Sequence, residues 1–350
     1  MQSTAHAPAA RPQGTGRPIS VLIVDDSVVA RAALARTVAA DSAMVVAAAV
    51  DSAAQAIAFL ASSTVDVVLL DIEMPGRDGL SALPDLLAAG RGAHVLIVAS
   101  TAAQGAEATI RALALGASDT LAKPEASGMG AGFGGLLLDR IARLGRARTA
   151  APAPQLFPLI EGKTGPVRLA AIGASTGGLK ALAELFQALP PSFSAPILVT
   201  QHLPPSFMPY FADQLALLSR RPTRVAVDRH EIAAGEILVA PGTAHLTVSA
   251  GTRLRVRLSN APSASRCCPS VDPMLASIAH TLGDAAVGIV LSGMGRDGLL
   301  GGRAMVAAGA TMLVQNEASS TIWGMPGVIA RDGAGRHVGR VQLDRPAGPT

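Results

Sequence analysis

Two α/β domains in tandem, each built on a mostly parallel sheet, are what this 350-residue sequence predicts. Three observations carry that expectation. Short branched-aliphatic runs alternate with helical spacing five times between residues 19 and 145, the pattern of a doubly wound parallel sheet. The same alternation restarts at Leu169. Between them lies a stretch rich in Ala, Pro and Gly, with Pro152, Pro154 and Pro158, that reads as a linker. The expected boundaries are a disordered tail over 1–18, a first domain over 19–145, the linker over 146–165 and a second domain over 166–345.

Each element follows from local pattern. Ile19–Val24 is a run of branched residues suited to one buried parallel strand, and it ends in Asp25-Asp26. Helical spacing follows over Val28–Ala40. Met44–Ala49 reads as a strand, Ser52–Ala61 as a helix, and Val65–Leu70 as a strand ending at Asp71. Ser81–Ala89 and Glu107–Leu115 are helical, with the strand His94–Ala99 between them. Ser118–Leu121 is a short fifth strand closed by Lys123-Pro124, and Leu136–Leu144 is the last helix. In the second domain, strands are expected at Leu169–Ile172, Pro196–Thr200, Ala286–Leu291 and Thr311–Gln315, the last clear one. Helices are expected at Leu179–Ala188, Phe207–Leu218, Pro273–Thr281 and Leu299–Ala308, with short strands over 223–258.

Hydrophobic residues are 49% of the chain but aromatics only 3%, so both cores must be aliphatic. The same scarcity argues against a base-stacking nucleic-acid surface. The lysines are Lys123, Lys163 and Lys180. The net charge of +4 therefore comes from Arg, and no basic run is dense enough for a nucleic-acid arm. Mild steering toward an acidic partner remains. Cys267 and Cys268 are adjacent, a strained geometry for a disulfide, and read as free thiols without metal-ligand spacing. No apolar stretch of about 18 residues occurs, and the N-terminus lacks an apolar signal core. The expectation is a cytoplasmic protein with no membrane insertion.

In parallel sheets, functional side chains collect at the carboxyl ends of strands. Asp25, Asp26 and Asp71 all fall there. Three converging carboxylates repel one another unless a cation intervenes, and hard oxygen donors with open positions suit Mg²⁺. One carboxylate can then attack phosphorus, and Asp71, alone at its strand end, is the candidate. Lys123 is placed to pair with phosphoryl oxygens. Ser100, just after the fourth strand, could hydrogen-bond them, with Thr101 as the alternative. Strand-end acids also serve as helix caps, and Asp26 alone would suit that role. The stretches Val24-Asp25-Asp26-Ser27, Leu70-Asp71-Ile72-Glu73-Met74-Pro75-Gly76-Arg77-Asp78-Gly79 and Lys123-Pro124 resemble two-component receiver domains over nearly all of 19–145. The resemblance implies a flavodoxin-like fold and phosphorylation at Asp71 with Mg²⁺ nearby.

Gly173-Ala174-Ser175-Thr176-Gly177 follows a strand and precedes a helix, the setting of a nucleophile elbow. A glycine-rich turn there could equally bind phosphate. A serine needs a base, and His202, directly after the strand Pro196–Thr200, sits on the same sheet edge. His230, His245, His280 and His337 lack that placement. Asp297, just past Ala286–Leu291, is the candidate to orient the imidazole, with Asp272 and Asp284 as rivals. The order Ser, His, acid differs from the Ser, acid, His of α/β-hydrolases.

The motifs Ile172-Gly173-Ala174-Ser175-Thr176-Gly177-Gly178, Gln201-His202-Leu203-Pro204, Pro269-Ser270-Val271-Asp272, Gly293-Met294-Gly295-Arg296-Asp297-Gly298 and Gly324-Met325-Pro326 resemble the chemotaxis protein-glutamate methylesterases. With the receiver, the resemblance covers about 19–145 and 166–332. It implies Ser175 as nucleophile, His202 as base, Asp297 as orienting acid, and backbone help from Thr176 and Met294. Cys267-Cys268 depart from the family pattern. The implied activity is a phosphorylation-activated esterase acting on glutamate methyl esters, and on glutamines by deamidation, of methyl-accepting chemoreceptors. A chemotaxis-type histidine kinase would be the phosphodonor, the esterase domain would need no cofactor, and the unphosphorylated receiver would cover the cleft. The competing expectation is a receiver-based binding module of another signalling array, without esterase activity.

Overall fold

The computed structural model describes residues 17–99, 103–123, 131–147 and 166–338. The expected tail and linker lie almost wholly outside them, as do Ser100 and Thr101. The first domain runs β1 (Ile19–Val24), α1 (Val28–Ala39), β2 (Met44–Val50), α2 (Ala53–Ser62), β3 (Val67–Leu70) and α3 (Gly79–Ala89). It continues with β4 (His94–Ala99), α4 (Ala103–Leu115), β5 (Asp119–Ala122) and α5 (Ala131–Arg146). Its sheet is parallel, in the order β2-β1-β3-β4-β5. Every residue of β3 is buried, as a strand covered on both faces requires. Val24 lies opposite Leu70, so the acids that follow them emerge at one rim. Ser27, not Asp26, caps α1, accepting from the Ala30 N–H at 3.3 Å. Asp26 is thereby free of the cap role and stays exposed beside the other acids.

The second domain contains β6 (Leu169–Ala174), α6 (Gly178–Ala188), β7 (Ile197–Gln201), α7 (Met208–Ser219), β8 (Thr223–Val225) and β9 (Ile237–Val239). An antiparallel hairpin of β10 (His245–Ser249) and β11 (Arg255–Ser259) leads to α8 (Val271–Leu282), β12 (Ala286–Val290), α9 (Leu299–Ala307) and β13 (Thr311–Gln315). Two further elements, α10 (Met325–Arg331) and β14 (Arg336–Val338), extend past the last strand the sequence announces. Gly324, Pro326 and Gly327 read as a turn, yet proline is tolerated in a first helical turn, where its missing N–H has no partner to lose. The seven strands of the main sheet are parallel, in the order β14-β13-β12-β6-β7-β9-β8.

The two domains share packing. Ala106 and Ile110 of α4 join Leu182 of α6 and Phe207 and Phe211 around α7 in one buried apolar cluster. That cluster packs α4 of the first domain against α6, α7 and the short turn before α7 in the second. Among the described residues no helix is long and apolar enough to cross a membrane.

Candidate active site

β6 and β7 are neighbours, with Ala174 opposite Gln201. Ser175 and His202 therefore leave adjacent strands at the same level, about 5 Å apart at the backbone. The His202 N–H donates to the Ala174 carbonyl (3.2 Å), and the Ser175 N–H to the Ser292 carbonyl beyond β12 (3.0 Å). The Ser175 carbonyl accepts from Gln201 Nε2 at 2.8 Å. Gly177 ends the turn with φ of +75°, a conformation glycine takes without strain. A Cβ there would meet Thr321 Oγ1 at 2.3 Å. The backbone of Ser175 is thus fixed from three sides. Among the described residues its hydroxyl makes no side-chain hydrogen bond, so the serine and His202 share one rim without being bonded. Thr176 follows the serine, and Gly293, just before Met294, packs so closely that a Cβ would lie 2.9 Å from Ser175 Cβ. Among the described residues neither the Thr176 nor the Met294 N–H donates to a backbone carbonyl.

His202 Nε2 lies 2.8 Å from Asp297 Oδ2. Asp297 is buried and receives four further hydrogen bonds. Val271 N–H donates to Oδ2 (2.7 Å); Ser270 Oγ (2.7 Å), Gly298 N–H (3.0 Å) and Asp272 N–H (3.2 Å) donate to Oδ1. Burial opposes the carboxylate's charge, but the bonds from His202, Val271 and Ser270 outweigh it and hold Asp297 down to about 2. Burial also opposes a charged His202; the Asp297 and Cys267 side chains overcome it and lift the imidazolium to about 9. Cys267 is half-buried against this ring. The donor atoms of His202, Cys267 and Asp297 all lie within 4.8 Å of one another.

The rivals go elsewhere. Asp272 accepts from Gly301 N–H at 2.8 Å and is pushed up to about 6, chiefly by burial and also by the Asp297 charge. His230 pairs with Glu236 (3.0 Å), and His245 Nδ1 accepts from Ser270 N–H (3.0 Å). His280 is exposed on α8, Asp284 is exposed beyond it, and His337 lies on β14.

In the first domain, Asp25, Asp26 and Asp71 bring carboxylate oxygens within 4.8 Å of one another. Lys123 Nζ reaches Asp71 Oδ2 at 2.6 Å and Asp25 Oδ2 at 2.9 Å. Burial pushes Asp71 above the usual carboxylate range, and the Asp25 charge adds to it, against the pull of Lys123. Lys123 pairs with two of these three acids, and such a hard, electron-rich donor set fits a divalent cation of the Mg²⁺ type.

Residues 170–343 match the CheB methylesterase family, and residues 21–129 match the response regulator receiver domain. The protein-glutamate methylesterase/protein-glutamine glutaminase 2 of Caulobacter vibrioides is 40% identical over 323 residues, covering 89% of this chain and 93% of that one. The chain belongs to the protein-glutamate methylesterase family. A Nitrobacter hamburgensis protein of the same family is 36% identical over 357 residues, covering 95% of this chain and 94% of its own. Among solved structures, the catalytic domain of Thermotoga maritima CheB methylesterase is 29% identical, with a TM-score of 0.48 over 51% of this chain and 93% of that one.

In this methylesterase family member the receiver lies over the serine turn. Thr176 Oγ1 donates to Asp119 Oδ2 at 2.6 Å, and the Gly177 N–H donates to the Ser118 carbonyl at 2.8 Å. Arg140 pairs with the same Asp119 carboxylate. Beside them Leu121, Phe133 and Leu136 of the receiver and His202, Leu203 and Phe207 of the esterase domain line an open cleft of about 440 Å³. Sequence reasoning missed Asp119, Ser270 and the Cys267 contact. Ser270 had a signal, since Pro269-Ser270-Val271-Asp272 is one of the family motifs; Asp119 had none, because its partner is 57 residues away in another domain.

Proposed function

We propose that this chain is a phosphorylation-gated serine esterase that hydrolyses glutamate methyl esters, and deamidates glutamines, on the cytoplasmic helices of methyl-accepting chemoreceptors. The name its relatives carry supports the substrate. The observation that carries the chemistry is the pairing of His202 with the buried Asp297, one strand spacing from Ser175. Asp297 is saturated with donors, so it stays ionised and fixes the ring through Nε2. Nδ1 is then left to take the Ser175 proton. Ser175 Oγ attacks the ester carbonyl, the Thr176 and Met294 amides hold the oxyanion, and methanol leaves with the proton from His202. Water, deprotonated by the same ring, cleaves the acyl-enzyme to a glutamate carboxylate. With a glutamine side chain the leaving group is ammonia.

The receiver supplies the gate. Asp71 is the phosphoryl acceptor, with a chemotaxis-type histidine kinase as phosphodonor, and Lys123 pairs with the phosphoryl oxygens. Asp25, Asp26 and Asp71 would hold Mg²⁺, which when bound offsets the charge of the incoming phosphoryl group. Ser100 is proposed as the switch hydroxyl; it lies outside the described residues. β5 opens with the Asp119 that holds Thr176 and is followed directly by Lys123. A pull on Lys123 is therefore felt at the plug over the serine turn about 13 Å away. Methanol release from methylated receptor tests the reading. Ser175→Ala is expected to abolish it, and full activity in that variant would remove the serine from the mechanism.

A further inference from the structure

Cys267 has no part in the acyl chemistry, yet its thiol lies against the His202 ring and the Asp297 carboxylate. We propose that His202, Cys267 and Asp297 form a binding site for a soft divalent cation, zinc above all, and that filling it silences the esterase. Tetrahedral zinc with bonds of about 2.0–2.3 Å places its ligand atoms roughly 3.3–3.8 Å apart. The three donor atoms here already lie within 4.8 Å of one another, on side chains from β7's end, the loop before α8 and the loop after β12. The His202–Asp297 hydrogen bond of 2.8 Å has to open for both groups to bind one cation, and small side-chain movements achieve that.

The surroundings fit a ligand set. A ligating carboxylate is normally oriented by hydrogen bonds from outside the shell. The other oxygen of Asp297 has three such bonds, from Ser270, Gly298 and Asp272. A thiolate with an imidazole selects zinc over Mg²⁺, whereas the all-carboxylate cluster at Asp25, Asp26 and Asp71 suits the abundant, hard Mg²⁺. Three protein ligands leave a fourth position for water. Cys268 is exposed and stands outside the cluster.

Binding displaces the thiol proton and any second proton on the imidazole. A ring with the cation on one nitrogen carries hydrogen on the other, so it cannot accept the Ser175 proton. The coordination stands on geometry alone. The silencing rests on the reading of His202 as the base.

The test uses the full chain in excess Mg²⁺, titrated with Co²⁺ as a coloured stand-in for zinc. A near-ultraviolet thiolate-to-cobalt absorption saturating at one equivalent is expected, displaced by zinc, kept in Cys268→Ser and lost in Cys267→Ser. No such band in the parent, or an unchanged band in Cys267→Ser, overturns the site. In parallel, methanol release is measured against zinc. The parent should be inhibited and restored by chelator, and Cys267→Ser should need at least tenfold more zinc for the same fractional loss. Cobalt bound at the thiolate with hydrolysis unaffected by saturating zinc overturns the silencing, and with it the role of His202 as base, while the coordination stands.

Discussion

Asp71 and Asp297 both lie at the carboxyl-end rim of a parallel sheet, and their surroundings make them opposites. Each is buried in the loop that follows a strand's carboxyl end, Asp71 directly after β3 and Asp297 seven residues past β12. Asp297 receives five hydrogen bonds and is held near 2. Asp71 receives one from Lys123 and a long one from Glu73 N–H (3.3 Å), shares its lysine with Asp25, and is raised. A carboxylate saturated with donors is a fixed counter-charge. One left short of donors still attracts a cation or an electrophile. The number of donors, more than the position in the sheet, decides which acid reacts and which only orients.

The largest effect is expected from Asp297→Asn, which keeps the shape and removes the charge: kcat should fall about 10⁴-fold, by analogy with the orienting acids of other triads. Loss of less than tenfold would mean that the cradle, not the charge, orients His202. Next is pH. With the imidazolium lifted to about 9, roughly 1% of the ring is neutral at pH 7. In the unphosphorylated enzyme kcat/KM should rise about tenfold per unit, level near pH 9, and level earlier in Cys267→Ser; a plateau already reached at pH 7 would contradict the ring's environment. The same pair ties stability to pH. His202 is raised above 6.5, so its contribution is whole below that value and is lost as pH climbs through about 9. Asp297 is lowered from 3.8, so its contribution is whole above that value and is lost as pH falls through about 2. These are two ends of one interaction and count once.

Smaller effects sharpen the picture. Asp119→Ala removes the acceptor of Thr176 and Arg140. A hydrogen bond to a charged acceptor contributes about 1.5–3 kcal/mol, so activity without phosphodonor should rise about tenfold or more and the response to phosphodonor should shrink. Unchanged basal turnover would mean that the apolar α4 contact alone closes the cleft. Ser270→Ala takes one of five donors from Asp297 and should cost kcat only a few-fold. A loss as large as that of Asp297→Asn would show that the donors act as a single unit.

How much of this the sequence carried depends on range. Ser175, His202, Asp297, Asp25, Asp71 and Lys123 all sit at or beside strand ends, and strand ends are legible from short aliphatic runs. In-register parallel pairing then brings such ends to one rim, which is why the acid cluster and the His202–Asp297 pair were foreseeable. Asp119 was not, since it opens a strand and acts across a domain boundary that exists only in the tertiary packing, as where α4 meets α6 and α7. Cys267 stands 65 positions from His202, so no local spacing signals a shared site. α10 and β14 were lost because proline and glycine at a helix start look like a turn, and three residues are too few to show a period.

The most direct test is the rate at which a serine-reactive phosphonate labels Ser175 in the full chain, with and without a small-molecule phosphodonor. Labelling should map to Ser175, accelerate when Asp71 is phosphorylated, lose that acceleration in Asp71→Ala, and nearly vanish in His202→Ala. Labelling elsewhere, or at one rate in all these conditions, would contradict a gated triad on this rim.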